Sequence, residues 1–182
     1  MIVYLVRTFF LVLLISGVGA QAVEPPSFQG KRRPYTRYAA PFPAPVVSWY
    51  KNAAGITNIN RFHGKVVLLN FWATWCESCL HELPALDQLE SYVDNSNFKV
   101  LTINLDNAKP SIIASYFKRL NIKTLPLLRD PLGRSMDAYG IHEGLPWSFL
   151  IDRQGNVQGY MMGAAEWMAP EGQSLIDYYL NE

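Results

Sequence analysis

A long apolar run that leads directly into the two cysteines of the chain is the feature that most restricts its fold. Residues 65–72 read KVVLLNFW, and residues 73–79 read ATWCESC. An unbroken run of β-branched, aliphatic and aromatic residues is typical of a strand buried on both faces of a sheet. From residue 80 to residue 93 apolar side chains recur at helical spacing. The cysteine pair is therefore predicted to lie where a central strand passes into a helix.

Strands and helices alternate after this junction. Further helices are predicted at residues 111–120 and 170–180, and further strands at residues 98–105, 125–129, 147–152 and 157–162. This order argues for an α/β fold with a central mixed sheet flanked by helices. Residues 46–50 and 57–62 are short apolar runs around the turn sequence NAAG, which predicts an N-terminal β-hairpin extension. Residues 46–182 are predicted to form this single domain.

The start of the chain has the composition of a targeting segment. Residues 8–20 read TFFLVLLISGVGA and follow a single charge at Arg7. Residues 20–22 read AQA, the small-x-small pattern that a signal peptidase recognises. We predict a signal peptide over residues 1–22, with an uncleaved membrane anchor as the alternative. Both interpretations place the remaining chain outside the cytoplasm.

Residues 23–45 differ from the segments on either side of them. They contain six prolines and a basic cluster, Lys31-Arg32-Arg33. Since proline disrupts regular elements, this segment is predicted to be an extended linker without a packed element. The basic cluster is interpreted either as a contact for anionic lipid or as a solvated stretch. The formal net charge of the whole chain is +1, which gives no reason to expect a nucleic-acid partner.

The residues around the cysteines favour redox chemistry over the other uses of a Cys-x-x-Cys pair. Zinc needs about four nitrogen or sulfur ligands, and the chain adds only the scattered His63, His81 and His142. Covalent haem needs a histidine directly after the second cysteine, where Leu80 stands. A structural bridge across so short a loop removes little unfolded-state entropy. A dithiol–disulfide switch fits best, because a helix N-terminus stabilises a thiolate.

Three motifs together resemble one protein family. They are GKVVLLNFWATWCESC, the helix ELPALDQL and the distant segment AYGIHEGLPWSFLIDRQGNV. The resemblance is to the TlpA/ResA-like (DsbE-like) family of extracytoplasmic thiol–disulfide reductases, and it implies a thioredoxin-like fold. By position, Cys76 matches the family's nucleophile and Cys79 the resolving cysteine, which together form the redox disulfide. Trp75 is predicted to offer an apolar contact to a substrate protein.

The resemblance also implies roles for residues distant from the cysteines. Pro146 matches the family's cis-proline, for which Pro126 is a rival, and the backbone of Leu145 would pair with an extended client segment. Trp147 is predicted as a further substrate contact. Glu82 matches an acidic residue near the active site and would accept a proton; the alternative is a solvated helix residue.

These features predict a periplasmic protein-disulfide reductase that needs no cofactor. The family resemblance implies disulfide-containing client proteins, with apocytochrome c as one client, and a membrane electron donor of the DsbD/CcdA type. Glu77 beside the first cysteine opposes thiolate stabilisation, which argues against a strong oxidant. An oxidase or isomerase of the same fold is one alternative.

The second alternative belongs to a different class of protein. It is a copper-binding metallochaperone that uses Cys76, Cys79 and His142, because copper(I) suits thiolate ligands. Under the redox interpretation, by contrast, His142 is either a proton shuttle or an ordinary surface histidine. Pro146 discriminates between the two classes, since a docking loop for disulfide substrates uses it and a metal site does not.

Overall fold

One eight-stranded mixed sheet organises the computed structural model, which describes residues 24–51, 55–93 and 96–182. The strands are β1 (Thr36–Pro43), β2 (Trp49–Lys51), β3 (Ile56–Thr57), β4 (Val66–Trp72), β5 (Phe98–Asn104), β6 (Leu127–Arg129), β7 (Trp147–Ile151) and β8 (Asn156–Met162). Their spatial order is β1-β8-β7-β4-β5-β6-β2-β3. The helices are α1 (Glu77–Tyr92), α2 (Pro110–Arg119), α3 (Arg134–Tyr139) and α4 (Pro170–Asn181). The predicted mixed sheet with flanking helices is confirmed.

Strand β4 lies at the centre of the sheet, and all seven of its residues are buried. It pairs in parallel with β5 and antiparallel with β7. Because successive side chains of a strand point to opposite faces, β4 supplies two cores. Leu68 and Trp72 pack on the face that also receives side chains from α1, α2 and α4. Leu69 and Phe71 pack on the face that receives side chains from α3. Burial on both faces explains why the β4 sequence is apolar throughout.

The N-terminal hairpin is confirmed, but its second half is shorter than predicted. Strands β2 and β3 are antiparallel, with Trp49 opposite Thr57, and β2 also pairs with β6. The turn residues 52–54 lie outside the described residues. The predicted strand at residues 57–62 is wrong over Ile59–Phe62, which form a 3-10 helix. The reason is local, since the Asn58 side chain accepts a hydrogen bond from the Asn60 amide at 3.1 Å and starts a helical turn.

The short helix α3 has no counterpart among the predicted helices. It is bounded by Gly133 and Gly140, both of which have positive φ angles. With only six residues it is too short to show a helical period in the sequence.

The prediction of a linker without packed elements is wrong for residues 36–43. These residues form strand β1, which pairs antiparallel with β8 at the edge of the sheet. The register shifts between Arg37 and Phe42. The proline at position 41 lies within this irregular stretch, and the proline at position 43 follows it. An edge strand tolerates proline because its outer N–H groups need no partner in the sheet.

Residues 28–35, which we name the N-terminal strap, also pack against the domain. Phe28 is 3% exposed, and its ring meets the ring of Trp167 edge-on at a centroid distance of 5.1 Å. The hydroxyl groups of Tyr35 and Tyr179 are hydrogen-bonded at 2.8 Å. The strap therefore ties the start of the described chain to the segment after β8 and to α4.

The predicted signal peptide over residues 1–22 lies outside the described residues and stays a prediction. In the part of the chain that the structure describes, no helix has the length and apolar character needed to cross a bilayer.

Phe28→Ala is expected to lower the free energy of unfolding by about 3 kcal/mol, because it removes a buried ring from its contact with Trp167. Urea unfolding followed by circular dichroism measures the change. The matched control is Tyr92→Ala, an aromatic side chain that is 67% exposed, for which a loss below about 0.5 kcal/mol is expected. Equal effects of the two substitutions would show that the strap does not pack in solution.

Candidate active site

The cysteine pair lies at the carboxyl end of β4, as predicted. Cys76 is the N-cap residue of α1, and the two cysteines form a disulfide. The Cys79 amide donates a hydrogen bond to Cys76 Sγ at 3.2 Å. Cys76 is 6% exposed and Cys79 is 1% exposed, so the first sulfur has more access to solvent than the second. A free N–H group directed at Cys76 Sγ is the local feature that stabilises a thiolate at this position.

The loop before β7 lies at the same end of the central strands as the cysteines. In the antiparallel pair of β4 and β7, Phe71 stands opposite Trp147, so the end of β4 lies beside the start of β7. The Leu145–Pro146 peptide bond is cis, whereas no cis bond precedes Pro126. The predicted cis-proline is confirmed. Leu145 is half-buried.

The Trp147 side chain is largely buried at the start of β7. Its side chain is 7% exposed, and its ring stacks on Tyr160 at 5.3 Å and on Phe149 at 5.9 Å. Its indole N–H donates to the Glu143 carbonyl at 2.9 Å. Stacking on two aromatic rings leaves little of this side chain exposed, and the predicted contact of Trp147 with a substrate stays a prediction.

Trp75, the other tryptophan predicted to contact a substrate, is 71% exposed and immediately precedes Cys76. A large apolar ring left in water beside the cysteine pair is available to a partner protein. The predicted contact of Trp75 with a substrate remains a prediction that fits its position.

Glu82 is a buried carboxyl group, and its interpretation as a solvated helix residue is wrong. Glu82 is only 4% exposed to solvent. One carboxyl oxygen, Oε1, accepts hydrogen bonds from the Ala165 amide at 2.9 Å and from the Trp167 indole at 2.7 Å. The other, Oε2, accepts from Asn70 Nδ2 at 3.1 Å. Glu82 stands three residues after Cys79 in α1, so it lies about one helical turn beyond Cys79 and on the same side of the helix.

Burial raises the pKa of the Glu82 carboxyl from its ordinary value of 4.5 to about 7, although the three hydrogen bonds favour the charged form. Desolvation is the larger effect because a carboxylate loses the solvation of bulk water when it is enclosed. A carboxyl group with this pKa is present at neutral pH both with and without its proton. It can therefore accept a proton and return it near pH 7.

The donors to Glu82 come from elements far apart in the sequence. Asn70 belongs to β4 and also donates to Ser148 Oγ in β7 at 2.9 Å, which fixes its amide orientation. Ala165 and Trp167 belong to the segment after β8 and are 83 and 85 residues from Glu82. No local sequence pattern marks Ala165 or Trp167, so neither was predicted as a site residue.

Asp106 is a further site residue that was not predicted from the sequence. It is 9% exposed, and its Oδ2 accepts a hydrogen bond from the Thr74 amide at 2.8 Å and from Asn104 Nδ2 at 2.7 Å. It thereby holds the loop between β4 and Cys76. The sequence could have predicted this position, because Asp106 follows the buried strand β5. Since β5 runs parallel to β4, a carboxylate after it lies at the end of the strands that carries the cysteines.

The structure does not assemble the three ligands of the copper alternative. His142 is exposed on the loop before Leu145, and Cys76 and Cys79 are joined to each other. Across residues 24–51, 55–93 and 96–182, no group of three histidine, cysteine, aspartate or glutamate side chains is placed to hold a metal ion. The geometry thus gives the metallochaperone interpretation no support.

Comparison with known proteins adds an independent finding to this geometry. The model of the AhpC/TSA family matches residues 39–160. The chain belongs to the AhpC/TSA family. A relative named thiol-disulfide oxidoreductase ResA, from Geobacillus thermodenitrificans, is 31% identical over 105 residues. That match covers 58% of this chain and 59% of the relative, so it spans about three fifths of the relative's length.

Two solved structures from Chlorobium tepidum share the fold of this AhpC/TSA member. A DsbE-like thiol:disulfide interchange protein has a TM-score of 0.69 and 28% identity, and the match covers 77% of this chain and 96% of that one. A thiol:disulfide interchange protein of the thioredoxin family has a TM-score of 0.64 and 28% identity, with coverages of 79% and 99%. The predicted thioredoxin-like fold and the resemblance to ResA-like and DsbE-like proteins are confirmed.

Glu82→Gln is expected to remove a pH dependence of stability. A folded-state pKa raised to about 7 means that the native state holds a proton that the unfolded state has released between pH 4.5 and pH 7. The wild-type free energy of unfolding should therefore fall, relative to that of the variant, by on the order of 3 kcal/mol as the pH rises through this window. Urea titrations of both proteins at pH 4.5 and pH 8 measure the difference; parallel curves would contradict it.

Proposed function

We propose that this chain is a protein-disulfide reductase that works outside the cytoplasm through the pair Cys76 and Cys79. The observation that carries the proposal is Glu82, a buried carboxyl group with a pKa of about 7 that lies one helical turn from Cys79. A structural disulfide has no use for such a group, whereas thiol–disulfide exchange needs a proton acceptor that works near neutral pH. The names of the similar proteins agree with this chemistry.

The first step of the proposed reaction starts from the reduced pair. The Cys76 thiolate attacks one sulfur of a client disulfide, so that a bond forms between Cys76 Sγ and the client. The client S–S bond breaks, and its second sulfur leaves with the electron pair and takes up a proton. The Leu145 backbone pairs with the client's extended segment during this step, and Trp75 offers its exposed ring.

The second step releases the client. The Glu82 carboxylate accepts the proton of the Cys79 thiol, and the resulting thiolate attacks Cys76 Sγ. The disulfide between Cys76 and Cys79 forms while the bond to the client breaks, and the client sulfur leaves as a second thiol. In total, two electrons pass from the pair to the client, and the client takes up two protons: one from solvent in the first step and the one that Glu82 returns in the second. Because Glu82 is both desolvated and hydrogen-bonded, it is held in place for this single transfer.

The location and the partners form part of the same proposal. An oxidised pair needs an external two-electron donor, and a membrane dithiol protein of the DsbD/CcdA type supplies electrons in the periplasm. Apocytochrome c is the proposed client class. The apolar N-terminal run, the small-x-small site and the resemblance to extracytoplasmic reductases support this placement.

A reducing couple is expected, with a potential nearer about −270 mV than about −120 mV. Glu77, the first residue of α1, is exposed and places a negative charge beside Cys76, where it opposes the helix dipole. Equilibration with glutathione buffers measures the potential. A value above about −160 mV would place the couple among the oxidants.

Glu77→Gln provides the internal control for this measurement. Removal of the charge stabilises the Cys76 thiolate and hence the reduced state, so the potential should rise by roughly 10 to 20 mV. An unchanged potential would show that the charge of Glu77 does not influence the redox potential of the cysteine pair.

Cys79→Ala is expected to trap clients. Cys76 can still attack, but no second thiolate releases the client, so mixed disulfides should accumulate. They would appear as reducible high-mass bands on non-reducing gels of periplasmic extracts, and as a stable adduct of the purified chain with a disulfide-linked model peptide. Pro146→Thr in the same background should lengthen the adduct lifetime, because it alters the loop that aligns the attack.

Cys76→Ala is the matched control for the trap. Cys79 is 1% exposed, so it does not reach a client first, and no bands are expected. Bands that depend on Cys79 instead of Cys76 would reverse the assignment of nucleophile and resolving cysteine.

A further inference from the structure

The N-terminal strap brings one arginine to the cis-proline loop. The aliphatic part of Arg32 lies against Gly163, where an added Cβ would stand 2.7 Å from Arg32 Cγ. Its guanidinium group lies over Gly144, where an added Cβ would stand 3.2 Å from Nη1. Gly163 donates its amide hydrogen to the Pro146 carbonyl at 2.9 Å, and Gly144 directly precedes Leu145. Arg32 therefore lies beside the backbone that is proposed to receive a client.

Backbone contacts hold Arg32 in this place. The Lys31 amide donates to the Ala164 carbonyl at 2.8 Å, and the Gly30 amide donates to the Arg33 carbonyl at 3.1 Å, so a closed turn surrounds Arg32. The buried Phe28 anchors the start of the strap on Trp167. Arg32 is consequently part of a built surface, although its sequence position falls in a proline-rich segment.

The charge of Arg32 has no carboxylate partner within 4 Å in the part of the chain that the structure describes. Lys31, its neighbour, pairs with Glu166 at 3.4 Å, and Arg37 pairs with Glu24 at 3.2 Å. Arg32 is exposed, so its guanidinium is available to a partner at the edge of the docking loop. A guanidinium fork binds a carboxylate through two parallel hydrogen bonds.

We propose that Arg32 selects clients that carry a carboxylate side chain within about three residues of the attacked cysteine. This inference rests on the proposed reductase function. A client strand paired with the Leu145 backbone advances about 3.3 Å per residue, so the side chains next to its cysteine pass over Gly144 and meet the guanidinium. The acidic partner is a peptide segment of the client, because the stem of Arg32 lies on the docking loop itself.

The test uses the reduced full chain and two disulfide-linked peptides that differ only by Asp or Asn two residues from the cysteine. Single-turnover oxidation of the pair, followed by tryptophan fluorescence, gives the second-order rate constant for each peptide. The wild-type rate constant should be about fivefold higher for the Asp peptide at low salt, and this ratio should approach one as salt screens the charge. In Arg32→Gln the ratio should fall to about one at every salt concentration, and Arg32→Lys should restore part of it.

Arg61→Gln is the matched control. Arg61 is an exposed residue of the 3-10 helix that precedes β4, so it lies at the edge of the sheet opposite to the cysteines. The substitution makes the same change of charge and should keep the fivefold ratio. Its thermal midpoint and that of Arg32→Gln show that both chains remain folded.

Two results would overturn the proposal: an equal rate for the Asp and Asn peptides with the wild-type chain, and an unchanged ratio in Arg32→Gln. Either leaves the reductase function intact. If Arg32→Gln combines an unchanged ratio with a loss of binding to phosphatidylglycerol vesicles, the surface is assigned to a membrane. A chain that reduces neither peptide nor a small aromatic disulfide would refute the reductase function itself, and the client selection with it.

Discussion

The antiparallel pairing of β4 with β7 is the interaction on which the site depends. It sets Phe71 opposite Trp147, and therefore places the start of β7 beside the end of β4. For this reason the disulfide pair that follows β4 and the cis-proline that precedes β7 lie at the same end of the central strands. The parallel pairing of β4 with β5 adds Asp106 to the same end, where it holds the Thr74 amide. A change of register by one residue would exchange the two faces of the strand and separate these groups.

Glu82 shows how the fold maintains a group that is unfavourable to bury. An isolated carboxylate loses several kcal/mol when it leaves water, and here three hydrogen-bond donors offset part of that loss. The remaining imbalance is what raises the pKa of the carboxyl to about 7. The same feature that reduces stability at neutral pH thus keeps, one helical turn from Cys79, the carboxyl group that we propose as a proton acceptor, and perturbed carboxyl groups are common in active sites.

The strap, which precedes the edge strand β1, reaches the candidate active site through a short series of contacts. Phe28 packs on Trp167, whose indole binds Glu82, and Arg32 lies on the loop that carries Pro146. The strap leads directly into the edge strand β1, which tolerates the prolines at positions 41 and 43, and it brings the charge of Arg32 to the loop before Pro146. The strap thus contacts both the loop that is proposed to dock substrates and the tryptophan that donates to Glu82.

The sequence by itself determined the parts of the molecule that depend on local patterns. Strand β4, helix α1 and the position of Cys76 at their junction follow from an apolar run, a helical period and a Cys-x-x-Cys spacing, and the cis bond at Pro146 follows from the family resemblance. Only the tertiary structure decided the burial of Glu82, the core position of Trp147 and the place of Arg32. The physical reason is sequence distance: the donors that enclose Glu82 stand 83 and 85 residues away from it, and such contacts leave no periodic trace in the chain that makes them.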